Sequence, residues 1–276
     1  MLANRLGKIP KFAILMYHDV YLPYIPDLLS EYMHPSFRLP QKKFLEQMLF
    51  LKEQRYQIVV LNELVNMLVC DELNKKTVVI TFDDGLSSNY NVVFPILKEF
   101  GFKANFFITV NKIGSVDYMN LEEIKELSRA GMGVYSHTLN HHLMSELQMI
   151  DMEKEISLSK KILEEELQKK VDFISFPDGS YNSKALGLVK NASYIGACNS
   201  DTGYFNLKTD KFRIPRITVK SNYDLTEFKK IVTGDSLFVM KLKGEFLIKR
   251  IIEKIIGKKL YKIIFIFFLK RSLENK

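Results

Sequence analysis

The chain has 276 residues, 47% of them apolar, which suits one well-buried domain and excludes a disordered one. Its two cysteines, Cys70 and Cys198, are too few and too far apart for a disulfide framework or a zinc ribbon. The formal net charge is +8, but residues 241–276 hold 11 Lys or Arg against 3 Glu, so residues 1–240 are balanced and the basicity belongs to the tail.

Taken in order, the first 20 residues show no secretion signal, because the apolar run Phe12 to Tyr17 is short and follows a proline and two lysines. A cytoplasmic chain, peripheral at most on the inner face of a membrane, is the expectation. Residues 12–20 read as a first strand ending at Tyr17-His18-Asp19, followed by a loop punctuated by Pro23, Pro26, Pro35 and Pro40. Phe44, Met48, Leu49 and Leu51 predict an amphipathic helix over 41–53. A short strand at 58–61 and a helix from Leu61 to Cys70 follow. Thr77 to Phe82 is too continuously apolar to be half exposed and reads as a buried strand, with Asp83-Asp84-Gly85 at its end.

The alternation then continues. A helix over 90–100 is stopped by Gly101, and a strand runs from Ala104 to Val110. A helix from Leu121 to Ala130 is capped by Asn120 with Glu123 three residues on. Met132 to Ser136 is a strand, 151–169 a long charged helix and Phe173 to Phe176 a strand before Pro177-Asp178-Gly179. A helix over 183–192 and a strand over 194–198 complete a pattern that predicts parallel β-α units.

Parallel β/α folds carry their sites at the carboxyl ends of strands. Asp83 and Asp84, His137 and His141, and Pro177-Asp178-Gly179 all fall there. Two adjacent carboxylates leaving a buried strand need positive charge beside them. The four-residue spacing of His137 and His141 would bring both imidazoles to one side of a helical turn. One carboxylate and two imidazoles make a common open site for a divalent ion that acidifies water, and the second carboxylate is then free to act as a base. Zinc, cobalt and nickel all accept such ligands.

Thr81-Phe82-Asp83-Asp84-Gly85 and His137-Thr138-Leu139-Asn140-His141 resemble the T-F-D-D-G and H-S/T-x-x-H motifs of the polysaccharide deacetylase family, the NodB-homology group or carbohydrate esterase family 4. Leu15-Met16-Tyr17-His18-Asp19-Val20 looks like the start of its poly-N-acetylglucosamine deacetylase branch, and Phe176 to Asn182 is similar to the family's F-x-Y-P-Y-G-x-Y-N segment. The resemblance covers roughly residues 11–220. It implies an α/β fold, a distorted (β/α)7 barrel, as a domain over 11–240, and metal-dependent removal of an N-acyl, chiefly N-acetyl, group from an amino sugar in a polysaccharide or lipid-linked glycan. By it Asp83 is the general base, Asp84, His137 and His141 hold the metal, and the Asp178 backbone N–H receives the oxyanion. His18 and Tyr181 are then candidate substrate contacts.

Three positions depart from the pattern. Ser175 stands where the family often has an arginine that steadies the catalytic aspartate, and Asp178 replaces a tyrosine. The family's last motif, L-x-H, supplies a histidine that protonates the leaving amine, yet no histidine follows His142 and the expected last strand, Leu237 to Met240, offers no acid. Asp83 returning its proton, His18 and His142 are the open alternatives. The rival reading is a deacetylase-like protein that binds glycan or acts as a scaffold without catalysis.

In the tail, residues 241–276, Ile248, Ile251, Ile252, Ile255 and Ile256 share one helical face and Lys249, Arg250, Glu253, Lys254 and Lys258 the other. Such a basic amphipathic helix either closes the barrel or lies on an anionic membrane surface, while its isoleucine stripe argues against nucleic acid. The apolar run from Ile263 to Leu269 is too short to span a bilayer.

Overall fold

The computed structural model of the chain describes residues 10–23, 33–70 and 76–257. They fall into two compact units that meet in sequence at Asp235 and Ser236.

The first unit opens with strands β1 (Ala13–Tyr17), β2 (Asp19–Tyr21) and β3 (Arg38–Pro40), helix α1 (Gln41–Glu53), strand β4 (Gln57–Ile58) and helix α2 (Leu61–Cys70). It continues with β5 (Thr77–Phe82), α3 (Phe94–Phe100), β6 (Asn105–Ile108), α4 (Leu121–Arg129), β7 (Gly133–Ser136) and α5 (Met149–Leu167). It ends with β8 (Phe173–Ser175), α6 (Ser183–Asn191), β9 (Gly196–Cys198), β10 (Ile217–Thr218) and α7 (Leu225–Val232). The predicted elements up to residue 198 are present within a few residues of their expected limits. The capping box on α4 is formed in both directions, Asn120 to the Glu123 N–H and Glu123 back to the Asn120 N–H.

Eight of the strands form a parallel sheet in the order β10-β1-β5-β6-β7-β8-β9, with β4 also paired to β5, while β2 and β3 pair in a sheet of their own. Each central strand is buried along its whole length, as a sheet covered on both faces requires. The sheet curls towards closure through one stretch of chain. Ile214 exchanges backbone hydrogen bonds with Ala197 and Asn199 beside β9, and Ile217, three residues on, pairs with Leu15 of β1. Pro215 and Arg216 therefore sit on the seam of a distorted barrel.

Leu237 to Met240, expected as the last strand, instead lies in helix α8 (Ser236–Ile256), a 21-residue helix that constitutes the described part of the second unit. The last strand is β10. Two residues long, it leaves no periodic signal, and it follows a proline that would ordinarily argue against a central strand. Helix α7 also went unpredicted, although its capping box, Asp224 with Glu227, was legible. The run from Ile263 to Leu269 lies outside the described residues. Among the described residues no helix is long and apolar enough to cross a membrane.

Packing fixes the strand ends. Phe44, Met48 and Leu51 of α1 are fully buried, each contributing roughly 2 kcal/mol, and Phe44 meets Tyr17 and Phe82 edge-on. Tyr17, Phe82 and Phe106 stack with centroids 5.2 and 5.3 Å apart, so β1, β5 and β6 are locked in register just before their functional ends. Within this apolar layer Asn105 is a satisfied polar exception. Its Oδ1 accepts from the Leu61 N–H at 2.9 Å and its Nδ2 donates to the Ile80 carbonyl at 2.9 Å. Replacing Asn105 by Ala orphans both backbone groups, so the urea midpoint should fall by an amount equivalent to about 2–4 kcal/mol with an unchanged slope.

Candidate active site

At the end of β5 the chain turns sharply. Asp84 and Gly85 are both left-handed, with φ 75° and 81°, so the two carboxylates diverge instead of alternating along an extended strand. Asp83 turns inward and is buried, whereas the Asp84 side chain faces the mouth of the barrel and is 15% exposed.

Asp83 meets Arg216, a residue that sequence reasoning did not single out. The Arg216 guanidinium is wholly buried and clamps both carboxylate oxygens, Nη1 to Oδ1 at 2.6 Å and Nη2 to Oδ2 at 2.7 Å. It also donates from Nη1 to Thr81 Oγ1 at 3.2 Å, from Nη2 to Ser175 Oγ at 2.7 Å and from Nε to the Asn199 carbonyl at 3.1 Å. All five guanidinium N–H groups thus have acceptors, the condition under which burying such a pair is tolerable. Burial pushes the Asp83 carboxyl up in pKa, but the charge and hydrogen bonds of Arg216 outweigh it and hold it below its ordinary value. The arginine missing at Ser175 is therefore supplied from the seam, and Ser175 donates to Asp83 Oδ2 at 3.2 Å. A lone arginine inside the apolar run Ile214 to Val219 was the available signal.

The histidines come from the loop after β7. His137 is buried, and its Nδ1 lies 2.9 Å from the Ser175 carbonyl, which can only accept; Nδ1 therefore carries the proton and Nε2 presents a lone pair. His141 does not sit one helical turn on, as its spacing suggested. Thr138 and His141 are both left-handed, with φ 67° and 66°, and no helix forms there. The loop is folded instead around Glu155 of α5. That buried carboxylate accepts from the Leu139 N–H at 3.0 Å, the Asn140 N–H at 2.8 Å and Asn140 Nδ2 at 2.7 Å, and it pairs with His142 Nδ1 at 3.0 Å. His142 is thereby committed to the scaffold, which removes it as a proton donor to substrate.

The result brings His137 Nε2 to 3.3 Å and His141 Nε2 to 3.2 Å from Asp84 Oδ1, with all three ligand atoms within 4.8 Å of one another. Asp84 Oδ1 is buried and makes no geometrically sound hydrogen bond, which leaves it available to a cation. Donors around a tetrahedral zinc stand about 3.3 Å apart, the spacing of Asp84 Oδ1 from each imidazole nitrogen. The residues fit a divalent cation. Burial raises the Asp84 pKa, but the neighbouring imidazoles of His137 and His141 hold it well below its ordinary value; the His141 ring is opposed by burial yet raised by Asp84, Asp178 and Asp83.

His18 follows β1 at the same rim. Its ring stacks on Phe37 at 4.5 Å, its carbonyl accepts from Asn89 Nδ2 at 2.8 Å, and its Nδ1 is buried without a hydrogen-bond partner. Burial lowers its pKa, against the pull of the Asp84 and Asp83 carboxylates. On the loop after β8, Asp178 is left-handed at φ 54° with an exposed side chain. Gly179 beside it has φ 63° and leaves no space for a side chain, since a Cβ would lie 2.7 Å from the Ser200 nitrogen. Tyr181 stacks on Phe176 at 5.1 Å, and its hydroxyl accepts from Asn199 Nδ2 at 3.3 Å. Cys198 is an inert buried thiol, its pKa pushed up to about 12 by burial.

The sequence pattern described as polysaccharide deacetylase matches residues 71–196, a span that holds Asp83, Asp84 and both histidines. YxkH of Bacillus subtilis, named as a polysaccharide deacetylase, is 30% identical over 210 residues, covering 76% of this chain and 71% of its own. The chain belongs to the polysaccharide deacetylase family. The poly-β-1,6-N-acetyl-D-glucosamine N-deacetylase of Staphylococcus aureus is 24% identical over 68% of this chain and 69% of its own length. The structure of the Streptococcus pyogenes deacetylase PplD in complex with acetate superposes with a TM-score of 0.72 at 26% identity, covering 78% of this chain and 95% of that one. Deacetylases of this family use a divalent metal, and here Asp84, His137 and His141 lie close together.

Two variants test how this chain holds its centre. Arg216→Met strands a buried carboxylate and should lower stability by about 3–5 kcal/mol; adding Asp83→Asn should restore part of that in a double-mutant cycle followed by chemical denaturation. Glu155→Gln should keep the far-UV spectrum and weaken zinc binding, read by competition with a chelating dye, by about 10–100-fold.

Proposed function

We propose that the chain hydrolyses an N-acyl group, in the first instance N-acetyl, from an amino sugar in a polysaccharide or a lipid-linked glycan precursor. The observation that carries this reading is the convergence, at one barrel rim, of three metal-ligating atoms on Asp84, His137 and His141 with an ionised carboxylate, Asp83, held by Arg216. The acetate in the PplD structure and the N-acetylglucosamine polymer in the name of the S. aureus relative support the acyl group and the sugar class.

Asp84, His137 and His141 would hold the ion, zinc first with cobalt and nickel as alternatives. When bound, such an ion lowers the pKa of water and polarises a carbonyl. Asp83 is the general base. Oδ1 accepts one hydrogen bond from Arg216, so a second lone-pair direction is left to receive a proton from the attacking water. A carboxylate held below its ordinary pKa is a weak base, sufficient because the water is acidified at the same centre. The hydroxide adds to the amide carbon, and the Asp178 backbone N–H is assigned to the developing negative charge on the carbonyl oxygen. As the carbon–nitrogen bond breaks, the nitrogen takes up the proton that Asp83 received from the water, and we assign its relay to the His18 imidazole, whose buried Nδ1 has no hydrogen-bond partner. Tyr181, fixed by Phe176 and Asn199, supplies a rigid wall for the sugar. The His141 side chain is 40% exposed, so the centre opens to solvent, which favours an enzyme over a scaffold with a filled cleft.

With zinc supplied, the wild type should release free amine from small N-acetylglucosamine oligomers or lipid-linked N-acetyl sugars. Asp83→Asn and His18→Gln should each lower kcat by about 10²–10⁴-fold with zinc affinity retained. Full activity in His18→Gln would return the acid role to Asp83. No release by the wild type from either substrate class, with zinc tightly bound, would favour the non-catalytic reading.

A further inference from the structure

We propose that the exposed face of α8 docks on an anionic lipid bilayer, with the helix lying in the plane of the membrane surface. Leu237, Met240, Ile248, Ile251 and Ile255 are each between 58% and 80% exposed. Their spacings of three, eight, three and four residues place them on one stripe along the whole helix, with Gly244 filling the gap midway. Val239 and Leu242, on the opposite side, are buried. The helix is thus apolar on two faces, and the second meets water. Scattered exposed leucines are ordinary on a soluble protein, whereas a continuous stripe over a 21-residue helix marks a surface that something covers.

Charge identifies the occupant. Lys243 and Arg250, seven residues apart and both exposed, follow one edge of the stripe, and the Arg250 guanidinium lies 5.5 Å from the Phe246 ring. Lys241 lies towards the other edge, 4.0 Å from Glu245. The long aliphatic stems of such residues run along an apolar surface while their heads reach outward, the arrangement that suits a headgroup layer. Residues 236–256 carry five Lys or Arg against two Glu, so a second copy of this helix would meet like charge. A nucleic acid would leave the isoleucines in water. The helix is also not apolar enough to cross a bilayer, so the contact is with the surface. The inference stands apart from the hydrolytic reading, and either can fail without the other.

The test is co-sedimentation of the full chain with phosphatidylcholine vesicles, with and without phosphatidylglycerol. Partition should be about tenfold or more stronger onto the anionic vesicles and should weaken as salt is raised. The double substitution Ile251→Asp with Ile255→Asp, at exposed positions and checked for an unchanged far-UV spectrum, should abolish partition. Lys243→Glu with Arg250→Glu should remove the preference for anionic lipid. Wild type that fails to bind either vesicle overturns the proposal. So does a wild-type dimer in vesicle-free solution that the isoleucine substitutions convert to a monomer without lipid binding.

Discussion

The interaction on which the centre depends is the fully buried pair between Asp83 and Arg216. Left alone, each charge would be too costly to bury; together, with every guanidinium N–H satisfied, they can be. The pair does three things at once. It keeps Asp83 ionised, fixes the plane of its carboxylate and ties β5 to the seam where the sheet closes. Pro215 is part of the same solution. By ending the pairing to β9 just before pairing to β1 begins, it frees the Arg216 side chain to turn into the barrel rather than continue a regular ladder.

The histidine loop follows a similar economy. No helix holds His137 and His141 in place. A single carboxylate on the neighbouring helix gathers the backbone N–H groups of Leu139 and Asn140, and left-handed turns at Thr138 and His141 do the rest. Orientation of the rings is then set from outside the triad, by the Ser175 carbonyl on His137 and by the fold of the loop on His141. Ser175 consequently serves two partners, its hydroxyl on Asp83 and its carbonyl on His137, and links the base to the ligand set through one residue.

Much of this was legible in the sequence. Continuous apolar runs such as Thr77 to Phe82 gave buried parallel strands, and the Asn120–Glu123 box gave the start of α4, because both signals are local. Asp83, Asp84, His137 and His141 were legible because adjacent carboxylates and paired imidazoles at strand ends are chemically expensive. What was not legible was non-local. Arg216 acts 133 residues from Asp83, and Glu155 acts through the backbone of another segment, which no side-chain pattern records. The His-x-x-x-His spacing suggested a helical turn, yet the same distance is met by a loop with two residues at positive φ. The last strand was sought at Leu237 to Met240 because apolar character was the guide, and two residues after a proline, at Ile217 and Thr218, carry too little of it.

The placement of Arg216 at the closing seam has a consequence for timing. Asp83 is made early in synthesis and Arg216 late, and until β10 docks the aspartate lacks its Arg216 counter-charge and β1 lacks a neighbour on one flank. A partly emerged chain can therefore present Asp84, His137 and His141 while Asp83 is neither buried nor oriented. The site is therefore complete only once the seam has closed.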